Sequence, residues 1–255
     1  MTESSSTAGR GAGVQSLGRA FALLEHMAAG GGTTTVSRLA ESTGLPLGTI
    51  HRMMRTLVDL GYARQEASKE YTLGPKLIRL GDVASRSVAR WARPAMVQVV
   101  ARTGESVNIA ALDSDQIVYL GQVMASRNSM RMFTEVGRRV LPHSTAVGKA
   151  IMATMPPAEV EALLERTGMP QLTEFTIGTP QAFATELGIA RERGYAVDEQ
   201  EQELGVRCVA VKVPTETQRL AVSVSGPVTR MTDDAIAAAV GPLQDAAMRI
   251  AAELG

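Results

Sequence analysis

One cysteine, Cys208, among 255 residues has nothing to pair with inside the chain. A disulfide framework is thereby excluded, and a reducing compartment is expected. Histidine is almost as scarce, at three. His143, Asp198 and Cys208 come nearest to a metal-ligand set, yet no two are closely spaced, so no metal is expected. Residues 222–226 lack the first glycine of a nucleophile elbow, which argues against a serine hydrolase. Cys208 as a nucleophile would need a base and an electropositive setting, and a buried small thiol is the commoner case. No catalytic residue and no cofactor are assigned, and the chain is expected not to be an enzyme. No run approaches the ~18 apolar residues that span a membrane. Residues 1–13 are polar and Gly/Ser-rich with no apolar stretch after them, so neither a signal peptide nor a membrane partner is expected. These absences point to a cytoplasmic protein.

Net charge is missing too, with 26 basic and 26 acidic residues, but the balance is not local. Residues 1–93 hold 12 Lys+Arg against 7 Asp+Glu, and residues 94–255 hold 14 against 19. A basic first part on an acidic remainder suits a reader of DNA joined to something else. The length accommodates two domains of ordinary size.

What the chain does contain is a strongly patterned stretch, LPLGTIHRMMRTLVDL, at residues 45–60. Ile50, Met53, Met54, Leu57 and Leu60 recur at three- and four-residue steps and predict one apolar stripe on a helix. Gly48, Thr49, His51, Arg52 and Arg55 fall largely off that stripe. Pro46 suits the first turn, where a missing N–H costs nothing. Alone, this is an amphipathic helix with a solvated basic face. Upstream, Thr35 is placed to cap a short helix over 36–43, with Val36, Leu39 and Ala40 inward. Gly44 ends it in the manner of a left-handed C-cap. Counted from Val36, Ala40 is fifth, Gly44 ninth and Ile50 fifteenth. A small residue lets two helices cross, a glycine turns the chain and an apolar residue locks the second helix, which is a helix-turn-helix. Its second helix offers its outer face to the major groove.

Residues 1–13 read as a disordered arm. Ser16 is placed to cap a helix over 17–29 with Ala20, Leu23, Leu24 and Met27 on one face. After Gly61, residues 62–65 and 70–73 are strand-like around a polar turn at 66–69, a hairpin wing. Arg64 and Lys69 are placed near phosphate or the minor groove, where contacts give affinity more than sequence choice; solvated charges are the plain alternative. Residues 75–90 return to helical spacing through Leu77, Leu80 and Val83/Ala84, a linker that ends near Trp91 and Pro94. Winged helices usually act in pairs on two half-sites, so self-association is expected.

The remainder alternates helices at 94–103, 146–155, 157–166, 181–193 and 232–253 with strands at 106–112, 116–123, 130–136, 206–213 and 220–225. An antiparallel sheet flanked by helices accounts for this order. Residues 214–219 form a polar turn, so the last two strands pair as a hairpin. Val209, Val211 and Val213 then share a face with Leu220, Val222 and Val224. The other face carries Cys208 opposite Ser225 and Ala210 opposite Ser223. Those small and hydroxyl side chains either let a helix pack closely or floor a small polar pocket. Residues 143–150 favour the pocket, because small residues at a helix start leave N–H groups free for an anion. Gly148-Lys149 imitates a phosphate loop, but His143 stands where its first glycine belongs. A carboxylate fits better than a nucleotide.

Together these stretches resemble the IclR family of bacterial transcription regulators over residues 17–253. The similarity includes Leu45-Pro46, Tyr71-Thr72-Leu73-Gly74 at the close of the wing, and residues 143–150. Its most specific part is Gly194-Tyr195-Ala196-Val197-Asp198-Glu199-Gln200-Glu201 followed by Gly205-Val206-Arg207-Cys208-Val209-Ala210, the family's C-terminal signature. The chain departs from the pattern at Pro214-Thr215, where the family has an aromatic residue and Asp, and at Gly48, where it usually has Ser. Within the family, residues 104–110, Met130-Arg131-Met132 and Leu141-Pro142-His143 are similar to the allantoin-utilisation repressors that respond to glyoxylate. That resemblance implies a small oxo-acid held by backbone N–H groups at Ala146 and Val147 and by the side chains of Asp198, Cys208, Ser223 and Ser225. It implies an α+β chain: a winged helix-turn-helix at 14–74, a linker helix at 75–93 and a GAF/profilin-like α/β effector-binding domain at 94–255. The DNA-contact candidates are Thr35, Ser37, Leu47, Gly48, Thr49, His51, Arg52, Arg55, Arg64 and Lys69. Expected partners are operator DNA, a small carboxylate, and further copies of the chain as homodimer or homotetramer. A larger or aromatic acid, and activation in place of repression, stay open on the sequence alone.

Overall fold

The computed structural model describes residues 14–125 and 135–254, apart from the side chains of 84–89. The expected arm at 1–13 and the Met130–Met132 motif lie outside them. The chain divides into two units, Met1–Ala84 and Ser85–Gly255, with the division inside one helix, α4 (Lys76–Trp91).

The first unit runs α1 (Gln15–Ala29), β1 (Thr33–Thr34), α2 (Val36–Thr43), α3 (Leu47–Asp59), β2 (Ala63–Gln65) and β3 (Tyr71–Leu73). Thr35 caps α2 by accepting the Arg38 N–H at 3.3 Å, and Gly44 closes it at φ 67°. A left-handed residue there lets the chain turn without a Cβ clash. Leu23, Leu24, Met27, Leu39, Ile50, Met54 and Leu57 meet Ala63 and Tyr71 in one core. Each such fully buried side chain contributes about 1.5–3 kcal/mol. Three expectations need correction. Ser16 does not cap α1, which starts at Gln15 after an uncapped Val14. Pro46 stands just before the first turn of α3, at the N-cap. Leu60 is 49% exposed, because it is the C-cap residue and Gly61 at φ 80° turns the chain away from the stripe. The wing also gains a strand: β1 pairs with β3 through Thr33↔Thr72 and Thr34↔Tyr71, giving the order β1-β3-β2.

In α4, Leu77 packs on the core of the first unit, whereas Ile78, Leu80 and Val83 are exposed. The expected single apolar face therefore meets its own unit only at its start.

The second unit continues with α5 (Arg93–Thr103), β4 (Ser106–Asp113), β5 (Gln116–Val123), β6 (Arg139–Val140), α6 (Ala146–Met152), α7 (Pro157–Thr167), α8 (Pro180–Arg193), β7 (Ala196–Glu199), β8 (Val206–Lys212), β9 (Leu220–Pro227) and α9 (Asp233–Leu254). Its strands form one antiparallel sheet in the order β6-β5-β4-β9-β8-β7. Alternation gives the sheet two faces. One carries Val107, Ile109, Val197, Val209, Val211, Leu220, Val222 and Val224 against α5 and α9. The other carries Ala110, Ala196, Ala210 and Ala221 against α6, α7 and α8. Three layers result, a helix layer on each side of the sheet. The strand expected at 130–136 falls mostly outside the described residues; Glu135 and Val136 are not in a strand, and the edge is β6 instead. Strand β7 was not foreseen. Among the described residues no helix is long and apolar enough to cross a membrane.

Candidate functional site

On the first unit, α3 and the wing border a concave surface of about 560 Å³ lined by Gly48, His51, Arg52, Arg55, Val58, Gln65 and Tyr71. Gly48, His51, Arg52 and Arg55 are exposed, and Thr49 is half-buried. A Cβ on Gly48 would meet nothing within 4 Å, so the close-packing reason for a glycine is absent there. Leu47, at the start of α3, and Ser37, in the first turn of α2, are also exposed, whereas the Thr35 hydroxyl is engaged as a cap. Arg64 lies on β2, and Lys69 turns the wing tip at φ 67°. None of Arg52, Arg55, Arg64 and Lys69 joins an ion pair among the described residues. Arg52 and Arg55 line the concave surface, Arg64 and Lys69 are exposed on the wing, and unpaired exposed cations are available to phosphate.

The second unit assembles a different surface. Strand register places Gln122, Asn108, Ser223, Ala210 and Ala196 in one row across five strands. The next row runs Ser106, Ser225, Cys208 and Asp198. Cys208 opposite Ser225 and Ala210 opposite Ser223 is the pairing that a symmetric hairpin predicts. The two readings of these small residues meet here: Ala210 and Ala221 receive α6, while the hydroxyls, thiol and amide form a polar patch beside it.

That patch is a hydrogen-bonded set. Gln122 donates through Nε2 to Asn108 Oδ1 at 3.0 Å, and Asn108 donates through Nδ2 to Ser225 Oγ at 3.2 Å. Asp198 Oδ1 accepts the Glu201 N–H at 2.7 Å. Asn108, Asp198, Ser223 and Ser225 are all buried. Burial pushes the Asp198 carboxyl up to about 7, against the opposing pull of Lys149 and of the Glu201 N–H. Burial also raises the Cys208 thiol, with the Asp198 charge adding to it and the Ser225 hydroxyl opposing it. Tyr119, on β5, is raised by burial and then by Cys208 and Asp198, so its phenol stays neutral. A thiol held above its ordinary pKa is a poor nucleophile. The arrangement suits binding through neutral donors better than bond breaking.

The α6 start closes over this patch. Thr145 caps it by accepting the Gly148 N–H at 3.0 Å, and the N–H groups of Ala146 and Val147 have no acceptor among the described residues. Gly148 is required: its Cβ would lie 2.0 Å from the Pro142 carbonyl oxygen. Lys149, which imitates a phosphate-loop lysine, is buried and bonds to Glu201 instead, with Glu186 at 3.8 Å. Ser144 Oγ donates to Gln202 Oε1 at 2.7 Å, so the loop after Asp198 is tied once to α6 and once to the turn before it. His143 bonds the Pro170 carbonyl at 3.1 Å, and burial lowers its pKa. Its Nδ1 and Glu201 Oε2 have no partner among the described residues. There, too, no group of three His, Cys, Asp or Glu is placed to hold a metal ion.

Ala146, Val147, Asp198, Cys208, Ser223 and Ser225 thus lie together. Asn108, Gln122 and Tyr119 belong with them and were missed; their signal was the alternation of the 106–112 and 116–123 strands, whose partner in the sheet was not known.

Comparison with known proteins gives a consistent answer. The profile described as Bacterial transcriptional regulator IclR C-terminal matches residues 81–252, and that described as IclR helix-turn-helix domain matches residues 16–67. The transcriptional repressor IclR of Escherichia coli (strain K12) is 33% identical over 230 residues, covering 88% of this chain and 84% of that one. The HTH-type transcriptional repressor AllR of the same organism is 29% identical over 248 residues, covering 95% and 91%. The crystal structure of an IclR transcriptional regulator from Alicyclobacillus acidocaldarius superposes with a TM-score of 0.85 at 26% identity, covering 95% of this chain and 100% of that one.

Proposed function

The chain belongs to the IclR family of bacterial transcriptional regulators, and from that premise we propose that it is a repressor released from operator DNA by a small carboxylate of the glyoxylate type. Gly48, Thr49, His51, Arg52 and Arg55 meet base edges and phosphates in the major groove, with Ser37 and Leu47 at the helix starts. Thr35 lends its backbone beside them, and Arg64 and Lys69 of the wing hold phosphate. The acid lies between the Ala146 and Val147 N–H groups and the side chains of Asp198, Cys208, Ser223 and Ser225. The observation that carries this reading is the convergence of those four side chains, from three strands, on one patch beneath a helix start, with Asp198, Ser223 and Ser225 buried and Cys208 half-buried. The domain scheme is a winged helix-turn-helix at 14–74, a linker at 75–93 and an effector domain at 94–255. The chain works in the cytoplasm as a homodimer or homotetramer, and the genes under control are those of allantoin, purine-nitrogen or glyoxylate catabolism. Likeness to the IclR and AllR repressors supports repression.

An acid can release DNA only if it binds the DNA-free form more tightly than the DNA-bound form. A gel shift on the DNA upstream of the chain's own gene, with and without glyoxylate, tests this. Glyoxylate is expected to abolish the shifted band. Arg52→Ala is expected to weaken the band without acid. Ser223→Ala, losing one buried hydrogen bond, is expected to need about tenfold more glyoxylate. Release of the Ser223→Ala protein at the wild-type concentration would sink the site assignment, and release by an aromatic acid alone would replace the effector.

A further inference from the structure

Ser225 stands at the centre of the polar patch, and a chain from two strands away sets the direction of its hydroxyl. Gln122 on β5 donates to Asn108 Oδ1, and Asn108 on β4, fully buried, donates to Ser225 Oγ. A carboxamide has one accepting and one donating end, and both ends of Asn108 are committed. The Ser225 oxygen is therefore an acceptor toward Asn108, and its own proton must point elsewhere. Its partner across the hairpin, Cys208, offers only sulfur, a weak acceptor. A ligand oxygen in that place is a better one.

We infer that Asn108 is a specificity-determining positioning residue: through Ser225 it makes the patch present a donor, and so selects an α-oxo acid over the matching α-hydroxy acid. This rests on the carboxylate reading above and adds what the acid's second group must be. A carbonyl oxygen beside Ser225 only accepts, and completes the chain. A hydroxyl there also accepts the Ser225 proton, but it brings a proton of its own that needs a further acceptor, and without one a buried donor is left unmet. An unmet buried donor is worth about tenfold or more in affinity.

Isothermal titration calorimetry on the full chain at about pH 6 tests this with two pairs, glyoxylate with glycolate and pyruvate with lactate. The members of each pair have the same charge and similar volume. Glyoxylate is largely hydrated in water, so the pyruvate–lactate ratio reads hydrogen-bond direction directly, and for the other pair the change of the ratio between wild type and variant reads it. The wild-type chain is expected to favour the oxo member of whichever pair it binds by about tenfold. Asn108→Leu frees Ser225 to accept or donate, and the ratio is expected to fall toward one. Gln122→Ala, at a half-buried position, loosens the Asn108 amide and is expected to move the ratio the same way, which keeps the test open if Asn108→Leu does not fold. A purely structural loss would weaken both members alike and leave the ratio untouched. No oxo preference in the wild type, or an unchanged ratio in the variants, overturns the role of Asn108 while leaving the carboxylate site standing. Binding of neither pair by the wild type removes the carboxylate reading and this inference together.

Discussion

At the scale of single residues, Asp198 is expected to link pH to effector binding in the proposed site. Its carboxyl, pushed up to about 7 by burial, is close to half protonated at neutral pH. A neutral carboxyl can donate to an anionic ligand, and an ionised one repels it. Effector affinity is therefore expected to be level well below pH 7 and to fall above it, by at most about tenfold per pH unit. Asp198→Asn stays neutral throughout and should flatten the profile; a titration series from mildly acid to mildly alkaline pH reads both. The same shift acts on stability with a definite sign. The fold holds a proton that the unfolded chain releases at the ordinary carboxylate pKa, so this group's contribution is fully present below that value. It is lost as pH rises toward 7. Lys149 and Glu201 are buried as a pair, and removing one member strands the other.

At the scale of elements, the contact of α6 with the turn before it fixes the site. Gly148→Ala places a methyl group 2.0 Å from the Pro142 oxygen, against backbone that cannot rotate aside. The helix must shift, at about 1–3 kcal/mol. A lower urea midpoint and a weakened acid response are expected together, and an unchanged midpoint would show that the contact is not rigid. Much at this scale was readable beforehand. The helix-turn-helix rests on local constraints within residues 35–60, namely a cap, a left-handed glycine and an apolar stripe, so one stretch of chain states it. The hairpin register of β8 and β9 follows from alternation across a short turn. What stayed hidden depends on distant partners. Asn108 and Ser225 are 117 residues apart in the chain, and their meeting is set by the β4–β9 pairing. Strand β7 is four residues long with three consecutive buried positions, so it shows no alternation to read. Leu60 and Leu80 kept the helical spacing and yet face solvent, because periodicity names a face without saying what covers it.

At the scale of the whole molecule, the first unit has a core of its own and the second has one on each face of its sheet. Each unit is expected to melt on its own. Calorimetry of the full chain should show two transitions, and glyoxylate should raise only the one that belongs to the second unit. At 100 times Kd the gain is about 2.7 kcal/mol, or roughly 5–10 °C for a unit of this size. One transition that moves as a whole would mean the cores are energetically coupled. The charge asymmetry acts at this scale too, since the basic half meets DNA while the acidic half discourages wrong contacts with it.

The solitary cysteine has a practical consequence. Cys208 floors the polar patch and is the one thiol of the chain. Cys208 is half-buried and its thiol is held above the ordinary pKa, so alkylation is expected to be slow rather than blocked. The labelling rate with a small thiol reagent is thus a gauge of access to the patch, read at a single sulfur atom with nothing engineered into the chain. An acid bound as proposed is expected to lower that rate, with a dose dependence that gives occupancy directly.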